Sequence, residues 1–570
     1  MPKNYRLPPA LTPAQRAVVT HGDGPLRIFA GPGSGKTFAL THRIAHLLAT
    51  STATAQEVLA VTFTVKAAAE MKLRLLNLIG NEAVDGLTVR TFHSVCGQMV
   101  RSHAAVFGRD ERFTIYDQHE VRRLVEARIS EPATPMLKAA LQRHGAPPPA
   151  EIVGEISLGK SRLLDVDAYE MLGRHPATDV IAAVWHELNV ELRASNAVDF
   201  DDLLCFAVRL LESHPQVVER VRRRWRHVLV DEYQDTNVAQ AQWLRIITGS
   251  AGNVAVVGDD DQSLYGWRAA DVDNILHFER QYPRHRTITL EENFRSRSEI
   301  LSAASRLIGH NESRHLKELV AVRGSGGSVQ LARFADDEAE ADWIAETIAW
   351  FVNHGVDAGE ILVMLRSVGQ RGRYFRPLAA SLGARAIPYR IVGTLGLYER
   401  REVRAALGYI ALLVNPHDAA AFARAIGFPA RGCGPKTTAV VVRWAREQGH
   451  DLLAACTLAA AIPTTGARRA RNALESFGTE MIRLRSLLGT RSLVRVVTEA
   501  LMGPGPVRHL EGRRDAARSA ADREDAERVL EDLRSLVAAV SSFERNAEDP
   551  TAASFLAEAA GVEQTQPADA

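Results

Sequence analysis

Two short stretches carry residue types that could act on a phosphate chain. The first is Ala30-Gly31-Pro32-Gly33-Ser34-Gly35-Lys36-Thr37. Its glycines let backbone N–H groups turn inward around an anion, and a helix opening at the lysine adds the positive end of its dipole. Lys36 would reach the β- and γ-phosphates of a nucleotide, and Thr37 would hold Mg²⁺. The strict form of this loop opens on glycine, and here that position is Ala30. Gly31, Gly33 and Gly35 still supply the turn. The second stretch, "VLVDEYQD" over 228–235, ends an apolar run on Asp231 and Glu232. Asp231 suits Mg²⁺, directly or through water, and Glu232 suits orienting and deprotonating an attacking water. Such an acidic pair alone is commonly a solvated turn; the upstream phosphate loop gives it weight.

Both stretches need a strand behind them. "PLRIFA" (25–30), "EVLAVTF" (57–63) and "LTVRTF" (87–92) read as buried strands, with helical patterns at 36–50 and 65–80 between them. That alternation predicts a parallel sheet flanked by helices. Over 106–198 the strand signal fades and helical patterns take over, which reads as an insertion. Strands return at 227–232, 253–259 and 287–294, so the first sheet resumes. A second α/β region has "SVQLARF" (328–334), "ILVMLRS" (361–367) and "IPYRIVG" (387–393) as expected strands. From about 396 to 560 the chain reads as helical, with 523–544 its longest clean helix and a polar end at 561–570.

Composition bounds the function classes. The 570 residues suggest roughly three to five domains. Hydrophobic content of 46%, charged content of 24% and a formal net charge of +1 are those of an ordinary globular chain. With no global basic field, a polyanion site must be a local groove. Cys96, Cys205, Cys433 and Cys456 are far apart, which argues against a disulfide framework or zinc site and favours a reducing cytoplasm. No apolar run reaches the length of a membrane span, so no membrane partner is expected.

Taken together, the motifs resemble the UvrD/Rep/PcrA family of superfamily-1 DNA helicases. "LTPAQRAVV" (11–19), "AVTFTVKAAAEM" (60–71), "TFHS" (91–94), "DFDDLL" (199–204), "VDEYQDTN" (230–237), "VGDDDQSLYGWRAAD" (257–271) and "LEENFRS" (290–296) follow the family's blocks in order. The resemblance implies an α/β fold. A P-loop RecA-like domain 1A (1–105 and 199–296) carries the helical insertion 1B (106–198). A second RecA-like domain, the N-terminal part of 2A (297–395), is followed by helical 2B (396–560). It also implies ATP and Mg²⁺ as cofactors, single-stranded DNA and single/double-strand junctions as partners, and 3′–5′ movement in repair or replication.

Residue roles come with it. Gln15 would read adenine and Phe294 would stack on it. Gln262 would sense the γ-phosphate, and Arg295 would act as an arginine finger beside Lys36 and Glu232. Phe63, His93, Phe200, Tyr265, Trp267 and Arg268 would face the DNA strand, their rings stacking on bases without reading sequence. "FPARGCGPKT" (428–437) resembles a short element whose Gly432 and Gly434 would hold a duplex phosphate. "LYERREV" (397–403) offers Arg400 and Arg401 either to the DNA backbone or to solvent.

Three departures stand out. Phe38 occupies a position where the family usually has a base-contacting arginine, and Val65 replaces an asparagine. The family's motifs V and VI, which complete 2A and bring a second arginine finger, have no counterpart in the sequence. A second polypeptide or further segment completing 2A is therefore one expectation. An ATP-gated single-stranded DNA-binding or regulatory subunit with little turnover is the alternative, and a truncated product without activity is a third.

Overall fold

A computed structural model describes residues 5–266, 269–365, 373–391, 396–463, 468–547 and 549–564. Its centre is a six-stranded, wholly parallel sheet. The strands are β1 (Leu26–Ala30), β2 (Val58–Thr62), β3 (Thr88–Thr91), β6 (His227–Val230), β7 (Asn253–Gly258) and β8 (Arg286–Leu290). Their spatial order is β3-β2-β6-β7-β1-β8. The two apolar clusters flanking this sheet explain why its strands read as unbroken apolar runs. Phe29, Leu59, Val61, Val228, Val230, Val254 and Val256 pack on one face. Ile28, Val58, Ala60, Leu229, Ala255 and Val257 pack on the other. A strand buried on both sides has no polar positions to alternate.

Helix α1 (Pro13–Val19) is held by a capping box in which Thr12 and Gln15 satisfy each other's backbone N–H groups. Helix α2 (Lys36–Ala49) leaves the phosphate loop after Gly35, and α3 (Val65–Ile79) is capped by Thr64. The chain leaves the sheet after β3 and returns at β6. In between lie β4 (Thr114–Tyr116) and β5 (Ala197–Asp199), a short parallel pair, with helices such as Gln118–Ser130 and Thr178–Ala194 around their own core.

After β8, β9 (Glu292–Asn293) pairs with β10 (Val320–Ala321). The three strands expected at 328–334, 361–367 and 387–393 are not formed among the described residues. These stretches are extended or irregular with no ladder partner, and residues 366–367 and 392–393 lie outside the description. The helices Asp337–Asn353 and Arg376–Ala384 between them do form and share a small cluster of Ala345, Ile348 and Leu382. Side chains that a sheet would bury stay open: Leu331 is 100% exposed and Leu362 75%. The β pattern is present without the pairing that makes it a sheet.

Beyond 396 the described chain is helical, ending in the long helix Ala520–Asn546 and the helix Ala552–Gln564. Polar bonds tie this region to the neck of the insertion: Thr114 Oγ1 and Tyr116 OH donate to the Asp418 carboxylate at 2.8 and 2.7 Å. Arg400 pairs with Asp532, which spends this guanidinium inside the helical region. Among the described residues no helix is long and apolar enough to cross a membrane.

Candidate active site

The carboxyl ends of β1, β6 and β7 open on one cleft of about 260 Å³. Pro32, Gly33, Gly35, Lys36, Thr37, Glu232, Gln262 and Arg295 line it, so residues from four separate motifs meet there. In parallel α/β sheets this edge is where ligands bind, because helix N-termini and loop N–H groups converge on it.

The phosphate loop is braced from several sides. Ser34 Oγ donates to Gly31 O at 2.7 Å, and Gln15 Nε2 donates to Ser34 O at 3.0 Å. Gln15 Oε1 accepts from Thr12 N at 3.2 Å. Both ends of the buried Gln15 amide are thus committed to backbone, the Ser34 end to the loop itself. Gly33 takes φ 68°, a left-handed conformation that favours glycine. A Cβ at Gly33 would also lie 2.6 Å from Arg295 Cβ and 2.8 Å from Asn293 Nδ2. The loop and the 292–296 turn are in direct contact.

Asn293 makes that contact. Fully buried, it donates from Nδ2 to Pro32 O at 2.5 Å and accepts at Oδ1 from Arg295 N (2.9 Å) and Ser296 N (2.7 Å). Phe294 N donates to Gly33 O at 2.9 Å. Sequence reading assigned roles to Phe294 and Arg295 but missed Asn293, whose partners lie 261 positions upstream or on backbone N–H groups.

The acidic pair faces the loop. Lys36 Nζ stands 2.9 Å from Glu232 Oε2, and Thr37 Oγ1 is 3.2 Å from Asp231 Oδ2. Glu232 has φ 52° and ψ 46°. A non-glycine residue held there stores backbone strain, which accumulates at functional sites. Asp231 is locked by its N–H on Val61 O (2.9 Å). Burial, with Glu232 beside it, pushes the Asp231 carboxyl up to about 6. Gln234, another residue missed in sequence, donates to Glu232 Oε2 (2.9 Å) and accepts from Asp259 N (3.0 Å), joining the second motif to the third. Gln262 Nε2 donates to Asp259 Oδ2 at 2.5 Å. Arg74 of α3 also lines the cleft, paired with Glu70 one turn away at 2.5 Å; its helical spacing hid it among surface charges.

At the rim, Phe38 is 41% exposed and its ring meets His42 edge-on at 4.3 Å; Phe294 is 42% exposed. Among the expected strand-facing residues, Phe63 stacks on Tyr265 with centroids 5.2 Å apart. His93 meets Phe200 edge-on at 5.6 Å. Phe200 itself is buried in the sheet's core, beneath His93 rather than on the surface. Phe63 and His93 follow β2 and β3, so they share the carboxyl edge with the cleft. Trp267 and Arg268 lie outside the described residues. Gly432 and Gly434 are exposed in the helical region, with nothing within 4 Å of an added Cβ. They and the sheet-edge aromatics sit on different parts of the fold.

This constellation matches known proteins along nearly the whole chain. Residues 11–283 match the model of the UvrD/REP helicase N-terminal domain, and 288–457 that of the UvrD-like helicase C-terminal domain. The ATP-dependent DNA helicase UvrD1 of Mycobacterium tuberculosis (strain ATCC 25618 / H37Rv) is 37% identical over 558 residues, covering 95% of this chain and 69% of the relative. The chain belongs to the UvrD/PcrA family of DNA helicases. The ATP-dependent DNA helicase PcrA of Bacillus subtilis (strain 168) is 31% identical over 555 residues, 96% of this chain and 71% of that protein. PcrA of Leuconostoc citreum is 36% identical over 422 residues, 74% and 55% respectively. Family membership supplies the RecA-like P-loop fold that the six-stranded sheet displays, and with it the family's dependence on ATP.

The oxygen donors here fit the cation that accompanies ATP. Thr37 Oγ1 and Asp231 Oδ2 are neighbours at the loop's end, and both are the hard oxygen ligands that Mg²⁺ prefers.

Proposed function

We propose that this chain is a motor that couples ATP hydrolysis to 3′–5′ movement along single-stranded DNA and separates duplex ahead of it, in repair or replication. The observation that carries this reading is the convergence of Lys36, Thr37, Glu232, Gln262 and Arg295 on one cleft, with Phe63 and His93 on the same sheet edge. We assign 1–105 and 199–296 to domain 1A, 106–198 to 1B, 297–395 to 2A and 396–560 to 2B. The site of action is the cytoplasm, where the DNA substrate and reduced cysteines fit together.

Bound Mg²⁺, held by Thr37 and Asp231, would supply charge neutralisation at the β/γ-phosphate oxygens. The residues do the rest. Lys36, now on Glu232, moves to the phosphates and frees the carboxylate. Glu232 orients a water and accepts its proton as the oxygen bonds to the γ-phosphorus and the bond to ADP breaks. Arg295 offsets the charge on the transferring group, and Gln262 registers its loss. Phe38 and Phe294 offer two ring faces to the base in place of an arginine. Phe63 and Tyr265 stack on bases.

The experiment is the ATP hydrolysis rate with and without single-stranded DNA. Strong stimulation, lost in Glu232→Gln while nucleotide binding is kept or tightened, supports the motor. A second reading, an ATP-gated DNA-binding or regulatory subunit, draws support from the unpaired, exposed stretches over 328–334 and 361–365. Tight DNA binding with no turnover would favour it, and recovery of turnover on adding a second polypeptide would identify a missing part of 2A.

A further inference from the structure

Three consecutive carboxylates follow β7: Asp259, Asp260 and Asp261, with ligand oxygens within 4.8 Å of one another. Such a cluster invites a metal reading. The structure fills it otherwise. Lys317 Nζ lies 2.9 Å from Asp259 Oδ1, 2.7 Å from Asp260 Oδ1 and 2.7 Å from Asp261 Oδ2. Its side chain is 1% exposed. An ammonium has three hydrogens on one atom, one for each aspartate; a planar guanidinium could not aim three bonds at a common point. Burial alone would lower the lysine's pKa, but the aspartates outweigh it and hold the group charged.

Lys317 belongs to a strap that touches the third motif, β1, the phosphate loop and the 292–293 turn. Arg314 grips Asp261 through two bonds of 2.9 and 2.7 Å. His315 N donates to Asp260 Oδ2 at 2.6 Å, and its ring stacks on Phe29 of β1 with centroids 3.9 Å apart. Leu319 covers the phosphate loop so closely that a Cβ on Gly31 would lie 2.4 Å from it. Val320 and Ala321 then pair with Glu292 and Asn293. Asp259 links the strap to the cleft: one oxygen takes Lys317, the other takes Gln262 Nε2 at 2.5 Å, and its carbonyl accepts Gln262 N at 2.9 Å.

We propose that Lys317 is a positioning residue for γ-phosphate sensing: through Asp259 it fixes the Gln262 amide, and the strap 314–322 carries the nucleotide's state toward the region beyond 328. This rests on the reading of the cleft as an ATP site and adds a residue and a route to it. When the γ-phosphate draws Gln262 forward, Asp259 must turn or follow. The buried ammonium then shifts with the strap that holds it.

The test measures affinity for ADP and for a non-hydrolysable ATP analogue with fluorescent nucleotides. Lys317→Met alone leaves three buried carboxylates short of a partner and threatens folding. Lys317→Met with Asp260→Asn removes one ammonium and one carboxylate together, so local formal charge is unchanged. We expect this double variant to bind ADP within about twofold of wild type while its preference for the ATP analogue falls by roughly tenfold, the loss of one charge-assisted hydrogen bond. A folded variant with undiminished preference overturns the proposal. In the wild-type chain, amide exchange over 315–322 should slow with the ATP analogue relative to ADP, and equal exchange overturns it without any variant. A wild-type chain that binds neither nucleotide sinks the ATP-site reading itself, a different failure from a variant that still discriminates.

Discussion

Replacing Asn293 tests whether Arg295, the proposed arginine finger, is held by the phosphate loop. The buried side chain makes three hydrogen bonds: to Pro32 O at 2.5 Å, and from Arg295 N and Ser296 N at 2.9 and 2.7 Å. At about 1 kcal/mol net for each bond, Asn293→Ala should cost about 3 kcal/mol, with the part-buried N–H groups of Arg295 and Ser296 losing their acceptor. The catalytic effect should be larger than that suggests. An arginine finger is worth about 10³–10⁵ in rate, and a misplacement near 1 Å can cost about 10². Arg295 lies two residues beyond Asn293, and its N–H is one of the groups released. We therefore expect kcat for DNA-stimulated ATP hydrolysis to fall by about 10²–10³ with nucleotide affinity little changed. Asn293→Asp separates the two tethers. It keeps an acceptor for the Arg295 and Ser296 N–H groups but sets a carboxylate oxygen against the Pro32 carbonyl, so kcat should fall between wild type and the alanine variant. Phosphate release at saturating ATP and DNA, alongside urea unfolding, reads both quantities. A destabilised alanine variant with wild-type kcat would refute the idea that this side chain places the finger.

Other outcomes follow from single contacts. Gly33→Ala must adopt φ near 68° and push against Arg295 and Asn293; about 1–2 kcal/mol of backbone strain plus that clash should abolish detectable turnover and weaken nucleotide binding, measured by fluorescent ATP titration. Phe63→Ala with Tyr265→Ala removes a stacked pair and should weaken single-stranded DNA binding by about 1–3 kcal/mol for each base that loses its platform, with ATP binding unchanged. Burial and the neighbouring Asp199 push the Asp201 carboxyl up to about 7, above its unfolded value of 3.8. Its stability contribution is thus present below the unfolded value and lost as pH rises through about 7; Asp201→Asn should flatten the decline in unfolding free energy between pH 5 and 8, read from urea titrations, by on the order of 2 kcal/mol.

The first sheet was legible because its strands are buried on both faces and its helices carry local caps. Apolar runs at 25–30, 57–63, 87–92, 227–232 and 253–259 became β1, β2, β3, β6 and β7 within about a residue or two at each end. The short strands β4, β5 and β10 carried too few residues to signal themselves. The stretches at 328–334 and 361–367 have the same β-rich composition as true strands, yet form no ladder among the described residues. Composition reports what a backbone prefers; a ladder needs a neighbour to receive its hydrogen bonds.

The sequence by itself picked out the candidate residues of the cleft. Lys36 and Thr37 stood out because a phosphate loop is a local structure whose glycines, strand and helix are consecutive, and Asp231 and Glu232 because they end a separate apolar run downstream of it. Tertiary structure decided which polar residues hold that chemistry in place. Gln15 closes on Ser34, Asn293 on Pro32, Gln234 on Asp259, and Lys317 among three aspartates. Each pairing spans 19 or more positions, and a lone amide or ammonium carries no mark of its partner. A buried polar group must find that partner or bear the cost of leaving water unpaired, so the fold that buries it is also what assigns its role.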